Sequence, residues 1–204
     1  MTSPATLPRL ILASGSPRRR DLLNDLGFEF EVRPVDIDES PLPSEKPVTY
    51  VMRLAREKAL AQAEAGELVI AADTIVAEGG ELLGKPADSD DAKRMLRRLS
   101  GKAHEVHTGV ALVDEAKTLR LTFVESTQVF FKTLEEPEID WYVSTGEPLD
   151  KAGAYAVQGV GSLFVDKLEG NYANVVGLPV AALYRLLRQA GYAFPNLPDL
   201  SPQD

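Results

Sequence analysis

The run LVIAADTIVA at 68–77 constrains the fold more than any other part of the chain. It is apolar except at Asp73 and Thr74, and its length and β-branched content predict a strand. No stretch approaches the roughly 18 apolar residues that a membrane span requires. Gly79-Gly80 follows before ELLG, which predicts a two-residue hairpin. The run therefore belongs to a sheet that contains antiparallel neighbours.

Helical and strand patterns alternate along the chain, which predicts an α/β fold. Strands are expected at 10–13, 28–34, 68–77, 104–113 and 119–131, and helices at 17–26, 48–65, 88–99, 137–144 and 178–189. The hairpins indicate a mixed, twisted central sheet flanked by helices. We expect a flexible N-terminus at 1–9, a single α/β domain at 10–190 and a C-terminal tail at 191–204.

Composition excludes several classes of site. The chain has no cysteine and two histidines, His104 and His107, so a metal here would be a hard cation such as Mg²⁺ or Mn²⁺ held by carboxylates. The net charge of −9 argues against duplex nucleic acid as a partner, although a local pocket can still bind a small phosphorylated ligand. Residues 1–8 do not resemble a secretory signal, so the cytoplasm is the expected location.

The segment ASGSPRRR at 13–20 combines a predicted helix start with three arginines. A helix N-terminus carries partial positive charge, so cations there are unfavourable unless an anion binds. Phosphate fits, because free N–H groups and guanidinium groups bind its oxygens together. The alternative is that Arg18, Arg19 and Arg20 are solvated or paired with Asp21 or Asp25.

Two charged residues fall on apolar patterns. Lys58 lies on the helical stripe with Val51, Leu54 and Ala55, so its ammonium group either reaches solvent along its stem or points into a cleft. Asp73 interrupts the strand and requires a partner or a cation, which makes it the leading catalytic candidate; a structural aspartate bonded to backbone or to Thr74 is the alternative.

Other candidates lie in loops. The acidic loop DIDESP offers a second carboxylate, with Asp36, Asp38 and Glu39 as candidates. Lys85 follows the hairpin, and Gln158 interrupts an apolar segment. The Gln158 amide could read a base edge through paired hydrogen bonds, or it could cap a turn. Acids and bases in separate loops favour a triphosphate with a divalent cation.

Seven motifs resemble the Maf-like nucleotide pyrophosphatases: ASGSPRR, AREKA, AADTIV, LLGKP, LSGKAHEVHTGV, GEPLDKAGAYAVQG and VVGLP, in this order. The resemblance spans about residues 10–190. It implies two lobes with a cleft between them, as in the Maf and ITPase folds, and a homodimer. It also implies hydrolysis of nucleoside triphosphates to monophosphate and pyrophosphate with a divalent metal. The AADT and DKAGAYAVQG forms resemble the branch that acts on dTTP and UTP.

The resemblance also assigns roles. It implies that Asp73 accepts a proton, that Glu39 is a second acid with Asp38 as the adjacent alternative, and that both acids could hold the metal. It further implies two sets of ligand contacts: phosphate at Ser14, Arg18, Arg19, Lys58 and Lys85, and base selection at Arg18, Thr74 and Gln158. In the mechanism that fits, water attacks the α-phosphorus and pyrophosphate leaves. Two alternatives stay open, a nucleotide-binding regulator of cell division without turnover and a nucleotidyltransferase.

Overall fold

The computed structural model describes residues 8–116 and 118–192. Of the predicted flexible start at 1–9 and the predicted tail at 191–204, only 8–9 and 191–192 fall within these residues. No described helix is long and apolar enough to cross a lipid bilayer.

One mixed sheet organises the described residues. Its strands are β1 (Arg9–Leu12), β2 (Glu31–Val32), β3 (Glu67–Glu78), β4 (Glu81–Leu83), β5 (Ala103–Asp114), β6 (Leu119–Phe131) and β7 (Val165–Glu169). The order is β2-β1-β3-β5-β6-β7, with β4 paired to β3. β1 is parallel to β2 and β3, and the other pairs are antiparallel. The predicted mixed sheet is therefore confirmed.

Helices cover the sheet and largely follow the predicted pattern. They are α1 (Pro17–Asp25), α2 (Pro47–Ala61), α3 (Ser89–Leu99), α4 (Glu136–Ser144), α5 (Tyr172–Val176) and α6 (Val180–Gln189). Short 3₁₀ turns occupy Glu147–Asp150, Ala152–Ala154 and Gly159–Phe164.

Four local predictions were wrong or incomplete. The strand expected at 28–34 reduces to the two residues of β2. The helix expected to reach residue 65 ends at Ala61, because Gln62 N–H closes on the carbonyl three residues back at Ala59. β7 and α5 were not predicted, since VDKLE is mostly exposed and five-residue helices carry too little periodicity.

The long strands β3 and β5 connect the two largest hydrophobic clusters of the described residues, which we call the first and second cores; two smaller clusters include residues of α2. The first core contains Leu68 and Ile70 of β3 and packs beneath α1 and α6, whereas the second contains Val76 and packs beneath α3 and α4. Between them, β3, β5 and β6 carry polar or small residues at 73–74, 107–109 and 125–127, and Thr108 pairs with Thr74 on one side and with Glu125 on the other. We call these residues the polar belt. The functional side chains discussed below lie at this break between the cores.

Gly109 brings α2 against the polar belt. A Cβ atom at this position would lie 2.3 Å from the Val51 carbonyl oxygen, so the helix backbone packs directly on the strand. Gly109 is paired with Asp73 across the sheet, and Lys58 lies two helical turns beyond Val51. The absence of a side chain at Gly109 therefore lets Lys58 approach Asp73.

Candidate active site

A cleft of about 560 Å³ opens where the two cores meet. Asp36 and Asp38, the other candidate acids of the loop, do not line it, but nine of the side chains that the sequence singled out do: Ser14, Arg18, Arg19, Glu39, Lys58, Asp73, Thr74, Lys85 and Gln158. Counting Asp150 and Lys151 as well, the lining holds five cationic side chains and three carboxylates. The cleft is thus locally positive on a chain of net charge −9.

Two walls of different construction bound the cleft. We call the first the strand wall; it is carried by β1, α1, α2, β3 and the loop before α2, and contains Ser14, Arg18, Arg19, Glu39, Lys58, Asp73 and Thr74. We call the second the turn wall; it is carried by the segment after β4 and by the 3₁₀ turns, and contains Lys85, Asp150, Lys151, Tyr155 and Gln158.

A buried lysine joins two acids at the centre of the strand wall. Lys58 Nζ lies 2.7 Å from Asp73 Oδ1 and 2.6 Å from Glu39 Oε1. Lys58 and Asp73 are 8% and 7% exposed, so the lysine does not extend to solvent and its charge is balanced by ion pairing. Asp73 Oδ2 accepts no hydrogen bond from the described residues, which leaves that oxygen available to a ligand.

The loop that carries Glu39 is anchored on α2. Tyr50 donates its hydroxyl hydrogen bond to the Glu39 carbonyl at 2.8 Å, and Arg53 binds both oxygens of Glu45 at 2.7 Å. Asp38 instead accepts from the Ser40 N–H at 2.9 Å and does not line the cleft. Of these two acids, Glu39 is therefore the one that reaches the ammonium group bound to Asp73. Burial, with the charges of Asp73 and Glu39, raises the pKa of Tyr50 to about 12.

The three arginines of the opening segment have three different environments. Arg18 lines the cleft and has no carboxylate within 4 Å in the part of the chain that the structure describes. Arg20 lies 3.8 Å from Asp21 at the surface, so for this residue the solvated alternative is correct. Arg19 is the most constrained, and it donates to Ser14 Oγ at 3.0 Å, Thr74 Oγ1 at 3.0 Å and the Gly177 carbonyl at 2.8 Å.

Arg19 is a charge without an anionic partner among the described residues. Desolvation by burial lowers its pKa from the ordinary value, while Asp73 acts in the opposite direction. A guanidinium group keeps its proton in proteins, so the cleft holds a fixed positive charge oriented by neutral acceptors. The first turn of α1 contains no acid, and Ser16 makes no side-chain cap, so backbone N–H groups are also free to bind an anion there.

The turn wall is less tightly bonded at its surface than the strand wall. Lys85 and Gln158 are exposed, and neither has an ion pair or side-chain hydrogen bond to any residue of 8–116 or 118–192. Gln158 does not cap the turn that follows it. Lys151 is held by Asp150 Oδ1 at 2.6 Å and by the Glu147 carbonyl at 2.8 Å.

Interactions behind the turn wall support it. Glu147 accepts from the N–H groups of Val160 at 3.1 Å and Gly161 at 2.9 Å, which fixes the turn after Gln158. His104 Nε2 lies 2.8 Å from the Tyr155 hydroxyl in the second core. Burial lowers the pKa of His104 to about 4, so the imidazole is neutral near pH 7.

The acids of the strand wall fit part of a divalent metal site. No group of three or more acidic or histidine side chains suited to a metal occurs in the described ranges. Glu39 and Asp73 nevertheless converge on one ammonium group, so their oxygens are close together. Mg²⁺ commonly uses one or two carboxylates together with phosphate oxygens and water. The donor set therefore fits a metal that arrives with a phosphorylated ligand.

Several residues at the site were not predicted. Tyr50, Arg53 and Glu45 hold the Glu39 loop, while Thr108 and Asn174 lie behind Thr74. One signal in the sequence was available for the second group: HTGV in β5 interrupts its apolar run with polar and small residues, as DT does in β3. Asn174 gave no comparable signal, because an asparagine in a short segment usually lies at the surface.

Comparisons with known proteins agree with this geometry. The family described as Maf-like protein matches residues 9–190. The chain is 58% identical over 190 residues to a dTTP/UTP pyrophosphatase of Anaeromyxobacter dehalogenans, covering 92% of this chain and 97% of that protein. It is 52% identical over 188 residues to a dTTP/UTP pyrophosphatase of Myxococcus xanthus, covering 91% and 94%.

A solved structure supports the fold independently of close sequence similarity. The HAM1 protein from Coxiella burnetii aligns with a TM-score of 0.51 at 15% identity, covering 90% of this chain and 100% of that one. This alignment supports the fold that the motif resemblance implied. From the match over residues 9–190 and the identity to its curated relatives, the chain belongs to the Maf-like protein family.

Proposed function

We propose that this protein hydrolyses dTTP and UTP to the nucleoside monophosphate and pyrophosphate, with water attacking the α-phosphorus. The observation that carries the proposal is the convergence, in one cleft, of Asp73 paired to a buried lysine with cationic groups that lack anionic partners among the described residues. Such a cleft requires a polyanionic ligand. The relatives named dTTP/UTP pyrophosphatase supply the substrate class and the bond that breaks.

Asp73 is the proposed proton acceptor. Oδ1 is bound by Lys58, which fixes the orientation of the carboxylate, while Oδ2 is free to accept a hydrogen bond from water. Transfer of the water proton to Asp73 accompanies bond formation at phosphorus, and the leaving group is pyrophosphate. Glu39 shares the ammonium group of Lys58, so it supports the charge balance at the same point.

Phosphate charge is the proposed target of Arg18, Arg19, Lys85 and the Ser14 loop. Arg18 and Arg19 approach from α1, and Lys85 approaches from the turn wall. Charge-assisted hydrogen bonds from opposite sides hold the triphosphate in line for cleavage and stabilise charge on the departing pyrophosphate. A divalent cation held by Glu39, Asp73 and phosphate oxygens would supply further neutralisation of phosphate charge.

Base selection is the proposed role of Arg18, Thr74 and Gln158. The Gln158 amide offers one donor group and one acceptor group at the exposed end of the cleft, which suits the edge of a pyrimidine. A homodimer, which the resemblance implies, and a cytoplasmic location remain predictions. Light scattering on the purified protein and cell fractionation test them.

Two other functions predict different products. A regulator without turnover would bind dTTP and release no pyrophosphate. A nucleotidyltransferase would require a second substrate and form a conjugate. The relatives named dTTP/UTP pyrophosphatase favour hydrolysis over both.

The test is a panel of canonical nucleoside triphosphates with Mg²⁺ or Mn²⁺, assayed separately for pyrophosphate and orthophosphate. We expect pyrophosphate and monophosphate in equal amounts, with UTP and dTTP as the best substrates. Orthophosphate as the first product would mean cleavage at the terminal bond. Nucleotide binding without any product would favour the regulator.

A further inference from the structure

A chain of hydrogen bonds runs from the cleft into the protein behind Thr74. Arg19 Nη2 donates to Thr74 Oγ1 at 3.0 Å, and Thr74 Oγ1 lies 2.9 Å from Thr108 Oγ1. Thr108 Oγ1 in turn lies 3.0 Å from the backbone carbonyl of Asn174. Thr108 and Asn174 are fully buried, so no solvent competes for these contacts.

The carbonyl at the end of the chain fixes the direction of every hydrogen bond in it. A carbonyl oxygen only accepts, so Thr108 uses its single hydroxyl hydrogen to donate to Asn174. The contact between the two threonines then requires that Thr74 donate to Thr108. Any other assignment leaves two oxygens at hydrogen-bond distance without a hydrogen between them.

Thr74 consequently has no hydrogen left for a ligand. Its hydroxyl donates once to Thr108 and accepts once from Arg19, so one lone pair remains. The residue lines the cleft. We infer that Thr108 and the Asn174 carbonyl are positioning groups that make Thr74 an obligatory hydrogen-bond acceptor toward the nucleotide, selecting a donor on the nucleoside and excluding phosphate oxygens from this position.

Asn174 is itself held in place by its side chain. Its Nδ2 donates to the Val106 carbonyl at 2.9 Å and to Thr127 Oγ1 at 3.0 Å. Because the Val106 carbonyl accepts only, the amide cannot be reversed, and its Oδ1 is left without a hydrogen-bond partner in the described protein. The buried carbonyl is thus fixed by contacts to two strands of the sheet, β5 and β6.

The inference rests on the proposed function for the identity of the ligand. On a uridine or thymidine nucleotide the neutral donors are the imide N3–H of the base and the hydroxyl groups of the sugar. Cytosine presents a lone pair at N3 instead, which would face the Thr74 lone pair. If N3–H is the donor, the chain of hydrogen bonds behind Thr74 disfavours CTP. If a sugar hydroxyl is the donor, the same chain disfavours the 3′-deoxy nucleotide.

The test measures dissociation constants of cleavage-resistant α,β-methylene analogues of UTP, CTP and 3′-deoxy-UTP by titration calorimetry. Wild-type protein is expected to bind one of the latter two about tenfold more weakly than the UTP analogue. T108V frees the Thr74 hydrogen, so this penalty, the ratio of the weaker analogue's dissociation constant to that of the UTP analogue, should fall below about threefold. T108S keeps the hydroxyl group and should retain the wild-type ratio. T108V is expected to fold, because the Asn174 carbonyl still accepts from the Gly177 N–H at 3.0 Å.

The inference is overturned if wild-type protein binds all three analogues within about threefold, or if folded T108V keeps the wild-type penalty. Should T108V fail to fold by circular dichroism, T74V replaces it: loss of the penalty supports the inference, and an unchanged penalty overturns it. Pyrophosphate release from UTP by the same wild-type preparation tests the proposed function separately, since the binding measurements do not depend on turnover.

Discussion

The two walls of the cleft carry similar residue types, but the side chains on each wall differ in how many interactions they make with the rest of the protein. On the strand wall Lys58 is held by two carboxylates, and Arg19 is held by groups from three segments of the chain. Both charged groups are withdrawn from solvent. On the turn wall Lys85 and Gln158 extend into the cleft without side-chain partners among the described residues. The difference teaches that one wall is organised before a ligand binds, and that the other depends on the ligand to order its side chains.

This contrast matches the demands of bond cleavage and of recognition. Electrostatic stabilisation of a transition state is most effective when the charged groups need not reorganise. Exposed side chains on turns lose rotamer entropy on binding, but they can adapt to bases of different shape. The strand wall therefore suits the chemical step and recognition by fixed groups such as Thr74, whereas the exposed side chains of the turn wall suit contacts that adapt to the bound nucleotide.

The largest expected effect is on stability, and it distinguishes Lys58 of the strand wall from Lys85 of the turn wall. Lys58→Met leaves the buried Asp73 charge without its counterion and should lower the free energy of unfolding by about 4 kcal/mol. The same substitution at Lys85 should change it by less than about 0.5 kcal/mol, because that side chain is exposed. Urea denaturation of both variants provides the measurement. Equal stability losses would remove the contrast between the walls.

A second pair of substitutions tests how α2 positions Lys58. Gly109→Ala forces a Cβ atom against the Val51 carbonyl, and we expect a loss of about 3 kcal/mol in unfolding free energy. Gly84→Ala is the matched control, since no atom lies within 4 Å of the added Cβ, and it should cost less than about 0.5 kcal/mol. Thermal denaturation by calorimetry distinguishes them. A neutral Gly109→Ala variant would contradict the proposed close packing.

The support behind the turn wall should be sensitive to acid. Burial lowers the pKa of His104 to about 4, so between pH 7 and pH 5 the unfolded chain takes up a proton at this residue that the folded protein does not. Stability therefore falls as pH falls, by about 2 kcal/mol from this group over that range.

His104→Gln removes that contribution, so the loss of stability between pH 7 and pH 5 should be about 2 kcal/mol smaller than in wild-type protein. Denaturant titrations at the two pH values measure the difference. His107, whose pKa burial also lowers, is present in both proteins and does not affect the comparison. Identical pH dependence in the two proteins would mean that His104 is not held neutral in the core.

The sequence located the strand wall more completely than the turn wall, for a physical reason. Asp73 stands out because it places a charge in an apolar strand pattern, and Lys58 stands out because it places a charge on the apolar face of a helical pattern. Gln158 lies on irregular turns, where no periodicity predicts the direction of a side chain. It was found through its motif rather than through a structural pattern.

The contacts of residues behind the site were beyond sequence reasoning. Thr108 lies 34 positions from Thr74, and Asn174 lies 66 positions from Thr108, so only the strand register and the packing of α5 bring them together. The same holds for the anchor of the Glu39 loop, where Arg53 and Glu45 form an ion pair that any helix surface could carry. Local pattern thus identified the charged groups, and tertiary packing determined how they are oriented.

The most direct test of the division between the walls compares Asp73→Asn with Gln158→Ala in one single-turnover experiment with UTP. We predict that Asp73→Asn lowers the cleavage rate constant about a thousandfold while the nucleotide dissociation constant stays within about threefold of wild type. Gln158→Ala should weaken binding and alter base preference, with the rate constant at saturation within about threefold. A Gln158→Ala variant that cleaves bound UTP as slowly as Asp73→Asn would contradict the account.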